Sequence, residues 1–167
     1  MNVHAVPIGE IIASDVPEDV LVAYGLGSCV AICLYDPVAQ VGGMLHALLP
    51  AAPNERNPAV RDSRPTKFVK QGTPLLIQSV LSLGAKRSRL QARLCGGARV
   101  LSAPGFQDSL NIGDRNVQAA EAALEAAGIR IYAREIGGNI GRTVKLYIGD
   151  GQVTVRSLGK GEQTIRE

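Results

Sequence analysis

The chain has 167 residues, 46% of them hydrophobic and 20% charged, with a formal net charge of +3. This balance suits one folded domain with a real core and argues against a disordered chain. It also argues against a nucleic-acid binder, because the densest basic stretch, Lys86-Arg87-Ser88-Arg89, has no aromatic beside it for base stacking; it reads as a solvated loop after a helix.

Trp is absent and aromatics make up 4%, so aliphatic side chains must fill the interior. No run approaches the roughly 18–20 apolar residues of a membrane helix, so no membrane insertion is expected. The opening MNVHAVPIGE has no basic region leading into an apolar segment, and a cytoplasmic location is the expectation. Three cysteines, Cys29, Cys33 and Cys95, make a disulfide framework unlikely to be the organising principle.

In chain order, VLVAY (20–24) reads as a strand of β-branched and aromatic residues, broken by GLGS. CVAICLYD (29–36) is a second strand, apolar enough to be buried on both faces, and Asp36-Pro37 starts a turn. VGGMLHALLP (41–50) is a third, in which Gly42 and Gly43 suggest a bulge or a close backbone approach. Residues 51–65, with three prolines and no periodicity, read as a long loop. A helix follows, with Thr73 as N-cap, Pro74 as first residue and Gly84 as stop; residues 66–72 form an earlier turn of it or a separate one.

RLQARLCGG (89–97) alternates and reads as a half-buried strand ending at a glycine pair. Residues 111–129 form an alanine-rich helix stopped by Gly128. Strands follow at 129–136 and 142–149, and the GDG at 149–151 turns the second into another at 152–158. The expected fold is α+β, helices packed on mixed, mostly antiparallel sheets, as a single domain over 1–158 with a loose tail over 159–167.

The single cysteine after GLGS invites three chemistries. A phosphate loop needs a helix after its glycines, and here a strand follows, with no lysine at the Walker position. A zinc site from Cys29, Cys33, Cys95 and His46 has poor ligand spacing, since knuckles close around C-x2-C. A nucleophile needs a base to take the thiol proton. The chain has only two histidines, His4 and His46, and His46 lies on what should be the strand neighbouring Cys29. No metal and no organic cofactor is expected.

GLGSCVAICLYDP and VGGMLHALLP resemble the chemoreceptor glutamine deamidase family, CheD. GGA at 96–98, NIGDRN at 111–116, GI at 128–129 and GGNIGRTV at 137–144 are further landmarks in the same order. The resemblance implies hydrolysis of glutamine side-chain amides on bacterial chemoreceptor cytoplasmic helices, in some members also of glutamyl methyl esters. It implies a layered α/β sandwich with a core similar to cytotoxic necrotizing factor toxins, and a CheC-type phosphatase as a possible second partner.

On that pattern Cys29 is the nucleophile, His46 the general acid/base, and the turn of Gly25, Gly27 and Ser28 supplies the oxyanion and substrate-binding backbone. One departure stands out. The family's threonine, six residues before the nucleophile, orients the histidine; here that position is Ala23. Tyr24 should point to the opposite face, so either another group orients His46, with Asn139 and Thr143 as candidates, or packing alone holds the ring. Arg115 and Arg142 read as surface arginines, with acidic receptor helices as possible contacts.

Overall fold

Every residue of strand β4 (Val30–Asp36) is buried, which a strand achieves only when both faces of its sheet are covered. One face of β4 presents Ala31 and Cys33 to a second sheet; the other presents Val30, Ile32 and Leu34 to helices. The computed structural model describes residues 1–52, 64–99 and 111–166. Over them the chain forms three layers: sheet, sheet, helices.

The central sheet has the order β2-β5-β4-β6-β7, from β2 (Glu10–Ser14), β5 (Val41–Ala47), β4, β6 (Gln91–Gly96) and β7 (Arg130–Ile136). The outer sheet has the order β1-β3-β8-β9-β10, from β1 (Asn2–Ala5), β3 (Asp19–Leu26), β8 (Arg142–Tyr147), β9 (Val153–Ser157) and β10 (Glu162–Thr164). The β1–β3 and β6–β7 pairs are parallel and the remaining pairs antiparallel, a mixed, mostly antiparallel α+β arrangement as the sequence predicts.

Helices α1 (Val69–Ser82) and α2 (Ile112–Ala126) cover the far face of the central sheet. Their stripes, Val69, Leu76, Ile77 and Val80 on α1 and Val117, Ala120 and Leu124 on α2, share one core with Leu45 and Ala47. Gly43 permits this packing: a Cβ there would sit 2.8 Å from Val80 Cγ1. Close approach is therefore the explanation of the Gly42-Gly43 pair, and the β4–β5 register runs unbroken through it.

Four expectations need correction. Helix α1 starts at Val69 and carries Pro74 in its interior, with the Thr73 hydroxyl bonded to the Val69 carbonyl. Thr73 is thus not an N-cap, and the helix carries on through a residue that cannot donate to its ladder. Arg89 is not a free surface charge. Its guanidinium grips the buried Asp36 at 2.8–3.0 Å, and the amides of Val38, Ala39 and Lys86 donate to the same carboxylate. Burial alone would raise the Asp36 pKa; Arg89 and these amides outweigh it and hold the carboxyl well below the usual range.

The end of the chain, read as loose, supplies β10, which pairs with β9. Finally, β1 and β2 were not foreseen. They are short, interrupted by Pro7 and Gly9, and β1 is exposed along its length. Of the predicted loop at 51–65, residues 53–63 lie outside the described residues.

Candidate active site

Antiparallel register decides whether Cys29 and His46 share a face. Ala31 pairs with His46 and Val30 with Ala47, so His46 projects to the same side as Ala31. Cys29, two residues before Ala31, joins Ala31, Cys33, Met44 and Cys95 in the core between the sheets. Cys29 and His46 are therefore diagonal neighbours on one face of the central sheet. Both are buried, Cys29 at 7% exposure and His46 at 3%. Gly27 and Ser28, which adjoin Cys29, are part-exposed.

The His46 ring is fixed by the main chain. Its Nδ1 lies 2.8 Å from the Val6 carbonyl oxygen. A carbonyl only accepts, so Nδ1 carries the hydrogen and Nε2 keeps its lone pair. Nε2 is buried and has no hydrogen-bond partner among the described residues. The tautomer is the one a general base needs. Val6 in turn is anchored by its own amide, 2.8 Å from the Val22 carbonyl, and the preceding strand by His4, whose Nε2 sits 3.0 Å from Asp19.

Ala23 is fully buried and Tyr24 is 58% exposed, so the two point apart as alternation predicts. Neither expected substitute acts on the ring: Asn139 is exposed, and Thr143 lies between the inward-facing Arg142 and Val144. The hydrogen-bond partner of the ring among the described residues is the Val6 carbonyl. No sequence pattern announces a main-chain acceptor, and β1 itself was unforeseen.

Burial pushes the Cys29 thiol up, opposed by its own backbone amide. Burial also pulls the His46 pKa down, opposed by the Val6 hydrogen bond. At neutral pH the resting pair is thus a neutral thiol beside a neutral imidazole.

The turn before β4 is clamped through three successive carbonyls. Gly27 accepts from the Ala98 amide at 2.9 Å, Cys29 from the Gly97 amide at 2.8 Å, and Ser28 from Asn116 Nδ2 at 2.9 Å. In a planar trans peptide the N–H points opposite to the C=O. Engaging the Gly27 and Ser28 carbonyls therefore aims the Ser28 and Cys29 N–H groups the other way. Gly25 sits at positive φ where the β3–β8 register shifts, at the outer end of the turn. Gly96 wraps closest of all: a Cβ there would fall 2.3 Å from the Cys29 carbonyl oxygen.

Arg142, expected at the surface, is 8% exposed and donates to the carbonyls of Gly96 and Gly137 at 3.4 and 2.8 Å. It braces the glycine turns that carry the clamp. Asn116 was legible only as part of NIGDRN, with no role. The signal was available, because a polar residue stands on the stripe Gly113, Asn116, Val117, Ala120, Leu124 that α2 buries. Among the described residues no group of three His, Cys, Asp or Glu side chains is placed to hold a metal ion, and no helix is long and apolar enough to cross a membrane.

A family model described as CheD chemotactic sensory transduction matches residues 48–157. A probable chemoreceptor glutamine deamidase CheD of Symbiobacterium thermophilum is 42% identical over 164 residues, 98% of each chain, an alignment long enough to run through positions 29 and 46. A probable chemoreceptor glutamine deamidase CheD of Pyrococcus abyssi is 45% identical over 149 residues, 87% of this chain and 86% of its own. The chemoreceptor glutamine deamidase CheD of Thermotoga maritima is 40% identical over 144 residues, 86% of this chain and 85% of its own.

Proposed function

The chain belongs to the CheD family, and from that membership and the Cys29–His46 geometry we propose that it deamidates glutamine side chains on chemoreceptors through a thioester on Cys29. The observation that carries the mechanism is the Val6–Nδ1 hydrogen bond, which leaves the Nε2 lone pair on the face that holds the thiol.

The steps follow from the resting charges. His46 Nε2 takes the Cys29 proton as Sγ attacks the amide carbon, so a thiolate need not persist in a buried site. The oxyanion is met by the Cys29 N–H, with that of Ser28 beside it; one such donor is typically worth about 3–4 kcal/mol of transition-state stabilisation. The C–N bond breaks, the imidazolium protonates the departing nitrogen, and ammonia leaves. Water, giving its proton to Nε2, then attacks the thioester. The C–S bond breaks, the proton returns to sulfur, and the side chain is glutamate.

The rival reading, a weakly active or inactive module that docks receptors or a CheC-type phosphatase, rests on Ala23. The hydrogen bond from His46 Nδ1 to the Val6 carbonyl supports turnover over that reading. A CheC-type phosphatase as second partner belongs to the same proposal; co-elution on size exclusion tests it, and separate elution removes that part alone.

The decisive assay incubates the protein with a receptor cytoplasmic fragment and follows ammonia release and a gain of about one dalton per modified glutamine. Cys29→Ala and His46→Ala both abolish the gain. Activity that survives Cys29→Ala ends the proposal.

A further inference from the structure

Asn116 is fully buried on the apolar stripe of α2, and packing does not explain it. Its Nδ2 donates to two main-chain carbonyls from separate segments: Ser28, at 2.9 Å, and Leu48, at 3.0 Å. Two acceptors fix which end of the amide is nitrogen. Its Oδ1 is buried with no hydrogen-bond partner among the described residues. An unpaired buried acceptor destabilises a fold, and an apolar side chain of this size would remove it only by taking this donor from the Ser28 and Leu48 carbonyls. The residue thus keeps a donor for those two carbonyls at the cost of its own unpaired oxygen, and what they flank gives the contact a use.

Ser28 directly precedes Cys29, and Leu48 lies two residues past His46, in the segment that leaves β5. By antiparallel register Leu48 stands opposite Cys29, one step beyond the Val30–Ala47 pair at the end of the described ladder. Asn116 therefore ties the two segments together where the strand pairing stops. It reaches them from the helix side of the central sheet, behind the turn. Gly113 permits the approach: a Cβ there would lie 2.6 Å from the carbonyl oxygens of both Gly97 and Ala98, so only glycine lets the start of α2 rest on that backbone.

We propose that Asn116 is a positioning residue for the reaction, its side-chain amide setting the separation of Cys29 from His46 and the direction of the Cys29 N–H by holding the Ser28 and Leu48 carbonyls. The inference rests on Cys29 and His46 being the reacting pair. It adds that their spacing is set by a residue that touches neither of them. Pulling on the Ser28 carbonyl rotates the Ser28–Cys29 peptide, whose N–H meets the oxyanion. Pulling on Leu48 draws the end of β5, and His46 with it, toward the turn. Asn116 touches no substrate atom, so its loss acts on chemistry rather than on binding.

The test compares the full chain with Asn116→Ala and Asn116→Asp in the receptor deamidation assay, each checked for a cooperative thermal transition above the assay temperature. Asn116→Ala lowers kcat by about tenfold or more, because small displacements of reacting groups are amplified in rate, and leaves KM within about twofold. Asn116→Asp keeps the shape but offers a donor only when protonated. Its activity relative to the unaltered protein therefore climbs as pH falls from about 8 to 6, since an acid facing two carbonyls in a buried site holds its proton into that range. A merely structural role would reduce the folded fraction and leave the kcat of the folded protein alone.

A folded Asn116→Ala with unchanged kcat overturns the inference. Should the variants not fold, hydrogen exchange of the Asn116 side-chain amide in the unaltered protein decides: slow exchange of the Nδ2 protons supports the tether, and exchange at the free rate overturns it. Cys29→Ala, run in parallel, separates the two claims. If it is active, the reacting pair is wrong. If it is dead while Asn116→Ala is fully active, only the tether is wrong.

Discussion

Replacing Gly96 by alanine puts a methyl carbon 2.3 Å from the Cys29 carbonyl oxygen and 3.2 Å from the Val30 Cα. Both are main-chain atoms, so no side chain can rotate away. To restore van der Waals contact the Cys29 peptide must retreat by about 1 Å, a displacement that in an active site typically costs on the order of 100-fold in rate. The backbone adds a separate penalty: Gly96 has φ +105, where a residue with a Cβ is strained by about 1–3 kcal/mol.

Gly84 separates the two effects. It has φ +106, and an added Cβ would meet nothing within 4 Å. Gly84→Ala therefore carries the strain without the clash. Both variants melt lower, by about 2–4 °C per kcal/mol in a chain of this size. Only Gly96→Ala loses turnover, with kcat in the receptor assay down about 100-fold and KM little changed. Turnover in Gly96→Ala within a factor of about two of Gly84→Ala would refute the reasoning, because the Cys29 peptide would then tolerate a shift the mechanism forbids.

The pH dependence follows from the resting charges. His46 must be neutral to accept the thiol proton, and burial lowers its pKa, so kcat/KM falls on the acid side only below the ordinary histidine value of about 6.5; an acid limb centred above that value contradicts the assignment. Ala23→Thr brings a hydroxyl to a fully buried position, while the Val6 carbonyl already engages His46 Nδ1. It destabilises by about 1–3 kcal/mol through overpacking and does not raise kcat, whereas a large gain would show that His46 lacks an orienting partner. Arg89→Ala removes the guanidinium that helps hold Asp36 ionised. The Asp36 carboxyl has a depressed folded pKa, so its contribution is present above the unfolded carboxylate range and lost as pH falls. The variant melts lower at neutral pH and its acid unfolding moves to higher pH, followed by circular dichroism; an unchanged acid midpoint refutes this.

The central strands were the most legible part of the fold, because β4 and β5 are apolar in a way that only burial on both faces explains. Cys29 and His46 could be placed on neighbouring strands from sequence alone, since a short turn at Asp36-Pro37 leaves few topologies. What was not legible depends on the main chain or on distant partners. The Val6 carbonyl lies just past a strand too short and exposed to register as one. Arg89 reads as a surface charge because its acceptor, Asp36, lies far off in the sequence, and Arg142 because its acceptors are the main-chain carbonyls of Gly96 and Gly137, which no side-chain pattern announces. Pro74 signalled a helix start by local rule, but α1 begins at Val69, which is buried in the core shared with the central sheet, and runs on through the proline.

The account stands or falls on a covalent bond at Cys29. A short receptor-derived peptide containing one target glutamine, mixed with the protein and quenched in acid within a turnover, should yield protein heavier by the peptide less one ammonia, with the adduct mapped to Cys29 and removed by hydroxylamine. Ammonia release at full rate with no such adduct, or an adduct on Cys33 or Cys95 instead, would contradict it.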